Sequence, residues 1–378
     1  KNHSYWVVFL VLWYNFYGDV MYESAIKILN ILENNGYKAY IVGGYVRDKI
    51  LNVKSNDIDI ITNALPDEVC KIFNIEHADN FGSIKLKYNN YIFEVTTFRK
   101  EYYKNNDRRP YKVEYIDDLK EDLMRRDFTI NSICIDKNGM YIDLLNGIND
   151  INNKIIRCIG NANTKINEDP LRILRAIRFS LVYDFNIEDN LMNTIYNNVE
   201  KIRYLSFDRI KKELNIIFNA GKSNKLLNLI NYTNMLKILE IKPKNSLIEC
   251  YNYLGIWEQL DFSNKYNFTK KEFKIIMEVK EIINGKTIDN YTLYKYSMDS
   301  LLISAKILKI DDIERRYLNL PIHSRSDIDI KYNEIKKYTN SSDINKIYVD
   351  LEKQILYNKL KNKNLLIKKY LEGSDNFE

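Results

Sequence analysis

Between Asp57 and Thr62 the chain reads Asp-Ile-Asp-Ile-Ile-Thr, and this segment constrains the fold more than any other. Acid and isoleucine alternate, the period of a strand with one apolar and one charged face. Asp57 and Asp59 therefore emerge on the same side, with Ile58 and Ile60 packed behind. Two carboxylates this close repel each other unless a cation lies between them. Oxygen-rich sites of this kind suit Mg²⁺, which also holds triphosphates. A bare Asp-x-Asp pair is common on protein surfaces, so its setting decides how it is read.

That setting begins upstream. Ala39 to Val42 is a short apolar strand, Gly43-Gly44 follows, and a helix is expected from Val46 to Leu51. Glycines between a strand and a helix let backbone amides approach a phosphate, and the helix start favours its charge. Arg47, one turn into the helix, is placed to pair with a phosphate; a plain glycine turn is the alternative. Glu94 lies inside the run Ile92-Phe93-Glu94-Val95, where an acid is costly to bury unless paired or metal-bound. If its strand neighbours that of Asp57, three acids converge, as two-metal nucleotidyl transfer requires. An edge-strand salt bridge is the alternative for Glu94.

The rest of the head reads as mixed α/β. A helix runs from Met21 to Tyr37, ended by Gly36, and another starts at Pro66. Strands are expected at Ser83–Tyr88 and Tyr91–Phe98, then a charged loop from Arg99 to Pro110. Asn138-Gly139 between Cys134–Asp136 and Tyr141–Asp143 signals a hairpin. After about Lys165 no convincing strand appears, and Leu, Ile and Lys recur at helical spacing. The expected organisation is an α/β head followed by a long helical body. The main boundary is placed near 149–165, with softer ones near 220–223 and 285–289.

Composition narrows the class. Hydrophobic residues make up 45%, and only 12 Gly and 5 Pro occur, which fits a folded chain and disfavours a loop-rich all-β fold. A net charge of +6 permits a polyanionic partner without demanding one. Cys70, Cys134, Cys158 and Cys250 form no Cys-x-x-Cys pair and read as reduced thiols of a cytoplasmic protein. Three histidines exclude a His-rich metal centre. Tyr5 to Tyr17 is nearly all apolar, but shorter than the ~20 residues that span a bilayer. Residues 1–20 are therefore set apart as an extension, and no stable membrane partner is expected.

Five segments together resemble one family. Residues 40–66 (YIVGGYVRDKILNVKSNDIDIITNALP), Phe93–Arg99 (FEVTTFR), Arg125–Ile133 (RRDFTINSI), Glu168–Phe179 (EDPLRILRAIRF) and, more weakly, Phe207–Leu214 (FDRIKKEL) occur in order and at compatible spacing. They resemble the bacterial-type (class II) branch of the tRNA nucleotidyltransferase/poly(A) polymerase family, most like its CCA-adding members. The resemblance implies a polymerase-β-like head (21–150) and a helical neck (151–220), body (221–288) and tail (289–378). It implies Mg²⁺, CTP and ATP, and transfer of CMP and AMP to the tRNA 3′ end without a nucleic-acid template. Asp57 and Asp59 would bind the metals, and Glu94 matches the third carboxylate. Gly43, Gly44 and Arg47 would lie on the nucleotide phosphates. Arg126 and Asp127 fall where the family contacts the nucleotide, Asp127 near the ribose; Asn131 matches a motif position whose role stays open. The loop from Arg99 to Pro110, with Glu101, Asp107, Arg108 and Arg109, matches a region that helps the switch from CTP to ATP. Its full length argues against a CC-only enzyme.

The fourth segment also speaks through its chemistry. Pro170 suits a first helical turn, and Asp169 and Arg172, three apart, are expected as neighbours on one helix face. A carboxylate accepts hydrogen bonds and a guanidinium donates them. Cytosine and adenine each present an exocyclic amine beside a ring-nitrogen acceptor, where uracil and guanine present a carbonyl. An Asp–Arg pair can therefore accept C and A, and a wrong base leaves a polar group unpaired at roughly 1–3 kcal/mol. Arg175 and Arg178 extend the cationic series and would steady the base or the triphosphate. The plainer reading is a solvated arginine face. In the C-terminal half, Lys331, Tyr332, Lys336, Lys337 and Tyr338, and later Lys368, Lys369 and Tyr370, suit phosphates and bases. The resemblance implies that this half holds the tRNA elbow and acceptor stem. An A-adding enzyme or a poly(A) polymerase is the alternative activity, a non-catalytic RNA-binding protein the remote one, and the oligomeric state is left open.

Overall fold

The structure, a computed structural model, describes residues 20–75, 82–103, 110–231, 233–339 and 343–373. The apolar run Tyr5–Tyr17 and the loop residues Asp107, Arg108 and Arg109 lie outside the described residues. The chain divides into two compact units. The first runs to Glu213 and includes Tyr232–Leu239, and the second comprises Leu214–Asn231 and Glu240–Glu378.

In the first unit, helix α1 (20–34) buries Met21, Ala25, Ile28, Leu29 and Leu32, one helical face, and gives way to Gly36 at φ 90°. Strand β1 (Ala39–Val42) leads through Gly43 into helix α2 (Gly44–Ile50). Next come β2 (Asp59–Thr62), α3 (Pro66–Phe73), β3 (Ser83–Tyr88) and β4 (Tyr91–Thr97). The first turn of α3 is held by the Glu68 carboxylate, which accepts from the Leu65 amide at 2.7 Å. Then follow β5 (Arg99–Tyr102), β6 (Lys112–Tyr115), α4 (Leu119–Met124), a 3-10 turn (Thr129–Asn131), β7 (Cys134–Ile135) and β8 (Tyr141–Ile142). The Asn138-Gly139 hairpin forms as expected, with Cys134 opposite Ile142.

The main sheet has the order β3-β4-β2-β1-β7-β8. β2 pairs β4 in parallel and β1 antiparallel. Val42, Ile61, Phe98, Leu123 and Cys134 form a buried cluster on this sheet. Ile58 and Ile60 are fully buried, the apolar half of the alternating segment. The chain continues through α5 (Gly147–Asn152), β9 (Ile155–Ile156), α6 (Ala162–Glu168), α7 (Leu171–Tyr183), β10 (Asn186–Ile187), α8 (Asp189–Asn198) and α9 (Phe207–Asn219).

Three expectations are corrected. β2 starts at Asp59, so Asp57 precedes the strand. Part of the expected charged loop is a two-stranded ribbon, β5 with β6, in which Lys100 faces Glu114 and Tyr102 faces Lys112. Such cross-strand pairs hold a ribbon without an apolar face, so hydrophobic alternation does not reveal it. The helical region is also interrupted by short strands: β10 pairs β9 in parallel, and β11 (Ile241–Pro243) pairs β12 (Leu260–Phe262) antiparallel. Two or three residues are too few to print a period of two.

The second unit is otherwise helical. Trp257 is fully buried among Phe218, Phe262, Tyr266 and Phe268, with ring centroids 4.8 to 5.6 Å away. A further apolar cluster includes Leu301, Ile335, Leu351 and Ile367. Among the described residues, no helix is long and apolar enough to cross a membrane.

Candidate active site

The sequence motifs meet at one cavity of the first unit, ≈ 510 Å³ in volume. Its walls come from the β1–α2 turn, the Asp57–Asp59 segment, the Arg125–Asn131 segment and the residues from Asp169 to Phe179. Gly43 sits at the turn of this wall. Its φ of 84° and ψ of −140° suit only glycine, and a Cβ there would lie 3.4 Å from Asp59 Oδ2 and 3.7 Å from Arg126 Nη1.

Asp57 and Asp59 both line the cavity, Asp57 exposed and Asp59 half-buried. Burial pushes the Asp59 carboxyl up to about 6, and the charges of Asp57 and Glu94 push the same way against Arg126. Glu94 is the register partner of Asp59 on the neighbouring parallel strand. It stands beside the cavity and not in its lining, and its Oε1 accepts from Ser83 Oγ at 2.6 Å. Among the described residues, no group of three or more acids, cysteines or histidines is arranged as a ready metal cage. The carboxylates that meet in the cavity wall near Gly43 are thus two, with Glu94 alongside. A half-buried acid that already resists ionisation beside a second acid fits a divalent cation, whose charge would relieve both.

The cationic side is built from guanidinium groups. Arg47 is buried; it donates to Asn131 Oδ1 at 2.6 Å, to Asp48 Oδ1 at 2.7 and 2.9 Å, and to the Tyr183 hydroxyl at 2.6 Å. It lines the cavity, and its hydrogen bonds go to protein groups. Arg125 pairs with Asp122 at 2.8 Å and Glu101 at 3.3 Å. Arg126 lies 3.5 Å from Asp122 Oδ2, and its buried Nε has no hydrogen-bond partner. This is no surface ion-pair cluster: Asp122 is fully buried.

Asp127 accepts from Arg175 at 2.7 Å, from Asn131 Nδ2 at 3.0 Å and from the Phe128 amide at 2.8 Å. Burial alone would raise its carboxyl, but Arg175 and these donors hold it down at about 2. Arg178 pairs with Glu213 at 2.6 Å. The Phe179 ring lies 4.2 Å from the Arg178 guanidinium, 5.0 Å from Arg47 and 5.3 Å from Arg175. Arg172, Arg175, Phe179 and Tyr183 follow one face of α7, so the plain solvated arginine face is not what forms.

The expected Asp169–Arg172 pair is corrected in its geometry. Asp169 is extended at φ −144° and precedes the helix, with Pro170 as N-cap of α7. It pairs with Arg209 at 2.9 Å. Arg172 pairs with Glu168 at 2.6 Å and donates to the carbonyls of Lys165 and Arg125. Proline after Asp169 favours the extended conformation, which takes the carboxylate off the helix face. Both residues still line the same cavity. Sequence reasoning missed the partners Asp48, Tyr183, Arg209 and Glu213. Tyr183 stands four residues beyond Phe179, a spacing that would have found it.

Residues 39–157 match the family model described as the poly A polymerase head domain. The chain is 32% identical to the CCA-adding enzyme of Staphylococcus haemolyticus, over 91% of this chain and 96% of that protein. It is 31% identical to the CCA-adding enzyme of Staphylococcus epidermidis, over 85% and 90%. Among solved structures, the CCA-adding enzyme of Bacillus stearothermophilus in complex with CTP matches with a TM-score of 0.76 at 23% identity, covering 93% of this chain and 97% of that one. That of Thermotoga maritima complexed with tRNA matches at 0.64 and 18%, covering 92% and 94%. These structural likenesses carry the fold: a polymerase-β-like head with a mixed sheet, and a mostly helical remainder.

Proposed function

The chain belongs to the CCA-adding branch of the tRNA nucleotidyltransferase/poly(A) polymerase family, and on that premise we propose that it adds C, C and A to tRNA 3′ ends from CTP and ATP. The observation that carries the reading is a single cavity in which the Asp57–Asp59 pair faces a set of arginines. The lining holds six arginines and five acidic residues. A divalent cation between Asp57 and Asp59 would add two positive charges to this lining, which favours a triphosphate.

Mg²⁺ is the cation we assign, held by Asp57 and Asp59, where it would acidify the attacking 3′-hydroxyl and neutralise the departing pyrophosphate. Glu94, beside Asp59, adds negative potential that favours the ion. Gly43 and Gly44 let the triphosphate come close to the backbone. Arg47 and Arg126 face its phosphates, and the Nε of Arg126 is a donor awaiting an acceptor. Asp127, kept ionised by Arg175, offers an acceptor to the ribose hydroxyls.

Asp169 and Arg172 read the base. Arg209 holds the carboxylate and Glu168 holds the guanidinium, so neither must be ordered when the nucleotide arrives. Arg175 and Arg178 flank the Phe179 ring and steady the base or the triphosphate. We read residues 21–150 as the catalytic head and the helical remainder as neck, body and tail, the last two bearing on the tRNA elbow and acceptor stem. The four free cysteines suit a reducing cytoplasm.

The test is incorporation of labelled CMP and AMP into tRNA lacking CCA, with and without Mg²⁺, by the wild type and by Asp57→Ala and Asp59→Ala. Metal-dependent incorporation by the wild type, lost in both variants, is expected. Undiminished activity in either variant contradicts the assignment.

A further inference from the structure

Asn131 lies in the 3-10 turn between Arg47 on α2 and Asp127 ahead of that turn. Its backbone amide is already satisfied by the Phe128 carbonyl at 2.9 Å. Both polar atoms of its side chain go to residues that line the cavity. Oδ1 accepts from Arg47 Nη1 at 2.6 Å, and Nδ2 donates to Asp127 Oδ1 at 3.0 Å. The amide can be oriented only this way, because a guanidinium has no acceptor and an ionised carboxylate no donor.

A carboxamide is the short side chain that accepts on one side and donates on the other. An aspartate here would oppose Asp127, and an apolar residue would leave two buried charged groups short of a partner. Without a spacer, Arg47 and Asp127 attract each other across the gap that Asn131 now fills. The result is an unbroken series of alternating acceptors and donors: Asp48, Arg47, Asn131, Asp127, Arg175. It runs from the helix after the glycine turn to the helix that carries Arg172.

Resting on the proposed nucleotidyl transfer, we infer that Asn131 is a positioning residue that holds Arg47 and Asp127 apart and aimed into the cavity, so that the triphosphate and the ribose of one nucleotide are bound in a fixed relation. Asn131 acts through these two groups and not through the base, so CTP and ATP are affected alike.

The experiment is steady-state kinetics of Asn131→Ala with CTP and with ATP, beside Arg47→Ala, the double variant Asn131→Ala/Arg47→Ala, and Asp59→Ala. Asn131→Ala is expected to raise KM for both nucleotides about tenfold, with a smaller change in kcat. In the Arg47→Ala background the same change is expected to cost less, about threefold, because the coupling to Arg47 is gone and only the contact to Asp127 remains to be lost. An unchanged KM overturns the inference, and so does a full tenfold cost in the Arg47→Ala background. Should Asn131→Ala fail to fold, Asn131→Asp carries the test; it keeps the volume and the acceptor toward Arg47 but sets a carboxylate against Asp127. A rise in KM of about tenfold is again expected, and wild-type KM values overturn the inference. Loss of activity in Asp59→Ala with wild-type behaviour of the Asn131 variants overturns the inference alone. Retained activity in Asp59→Ala overturns both it and the reading on which it rests.

Discussion

Asp59 and Glu94 stand side by side as register partners on the parallel strands β2 and β4. Strand pairing thus sets the exposed Glu94 beside Asp59, whose partial burial already disfavours charge, and Asp57 adds a third negative group within electrostatic reach. A fold that needed only stability would not keep this arrangement. A cation held by the carboxylates, as proposed, would relieve its cost.

Asp59→Asn is expected to remove that strain together with the proposed activity. In chelator at neutral pH the variant is expected to be more stable than the wild type, by roughly 1–2 kcal/mol. Mg²⁺ is expected to raise the unfolding midpoint of the wild type and to leave that of the variant nearly unchanged. Thermal denaturation with and without Mg²⁺ checks both; a destabilised, Mg²⁺-responsive variant counts against the site.

The Asp127–Arg175 pair sets a pH dependence. The Asp127 carboxyl, at about 2, is depressed from its ordinary 3.8. A depressed acid stabilises the fold above its unfolded value, and that contribution fades as pH falls from about 4 toward 2. Asp127→Asn should therefore cost roughly 2 kcal/mol at pH 7, with the gap to wild type narrowing below pH 4. Denaturant titrations across that window measure it, and a gap constant with pH contradicts the assignment.

Gly43→Ala forces a side chain into a backbone conformation of φ 84° and ψ −140° and against Asp59. A loss of about 1–3 kcal/mol in stability is expected, with a larger proportional loss of activity, because relaxing the strained turn moves the backbone beside Asp59, the carboxylate proposed to hold the metal. Wild-type turnover in a folded Gly43→Ala protein would remove the glycine from the site.

Base selection should fail in a graded way. Arg172→Ala is expected to reduce the preference for CTP and ATP over UTP and GTP by about tenfold or more. Arg209→Ala, which frees the Asp169 carboxylate from its 2.9 Å partner, is expected to reduce it less. Competition assays with all four nucleotides rank the two. Equal or reversed effects contradict the reading of Asp169 as the acceptor and Arg209 as its support.

Much of this site was legible before any coordinate. Gly43, Asp59 and Arg175 are named by motif and spacing, and each lines the cavity. The strands with apolar alternation were legible too, since buried faces print their period on the sequence. The β5–β6 ribbon was not, because each of its pairs contains a charged residue and neither face is apolar throughout. The partners of the arginines were hidden for another reason. Arg178 and Glu213 are 35 positions apart, and Arg47 and Tyr183 are 136 apart. Only the fold brings them together. The Asp169–Arg172 spacing suggested a shared helix face, and Pro170 defeats it by starting the helix one residue later.

In the proposed reading, one cavity builds the sequence C-C-A without a template. The most direct measurement is the 3′-end sequence of a tRNA lacking CCA after incubation with the protein, Mg²⁺ and all four nucleoside triphosphates. Addition of C, C and A, then no further growth, is expected, with a single A added to a tRNA that already ends in CC. Addition confined to the CC-ended tRNA, or a run of A residues on any RNA offered, contradicts it.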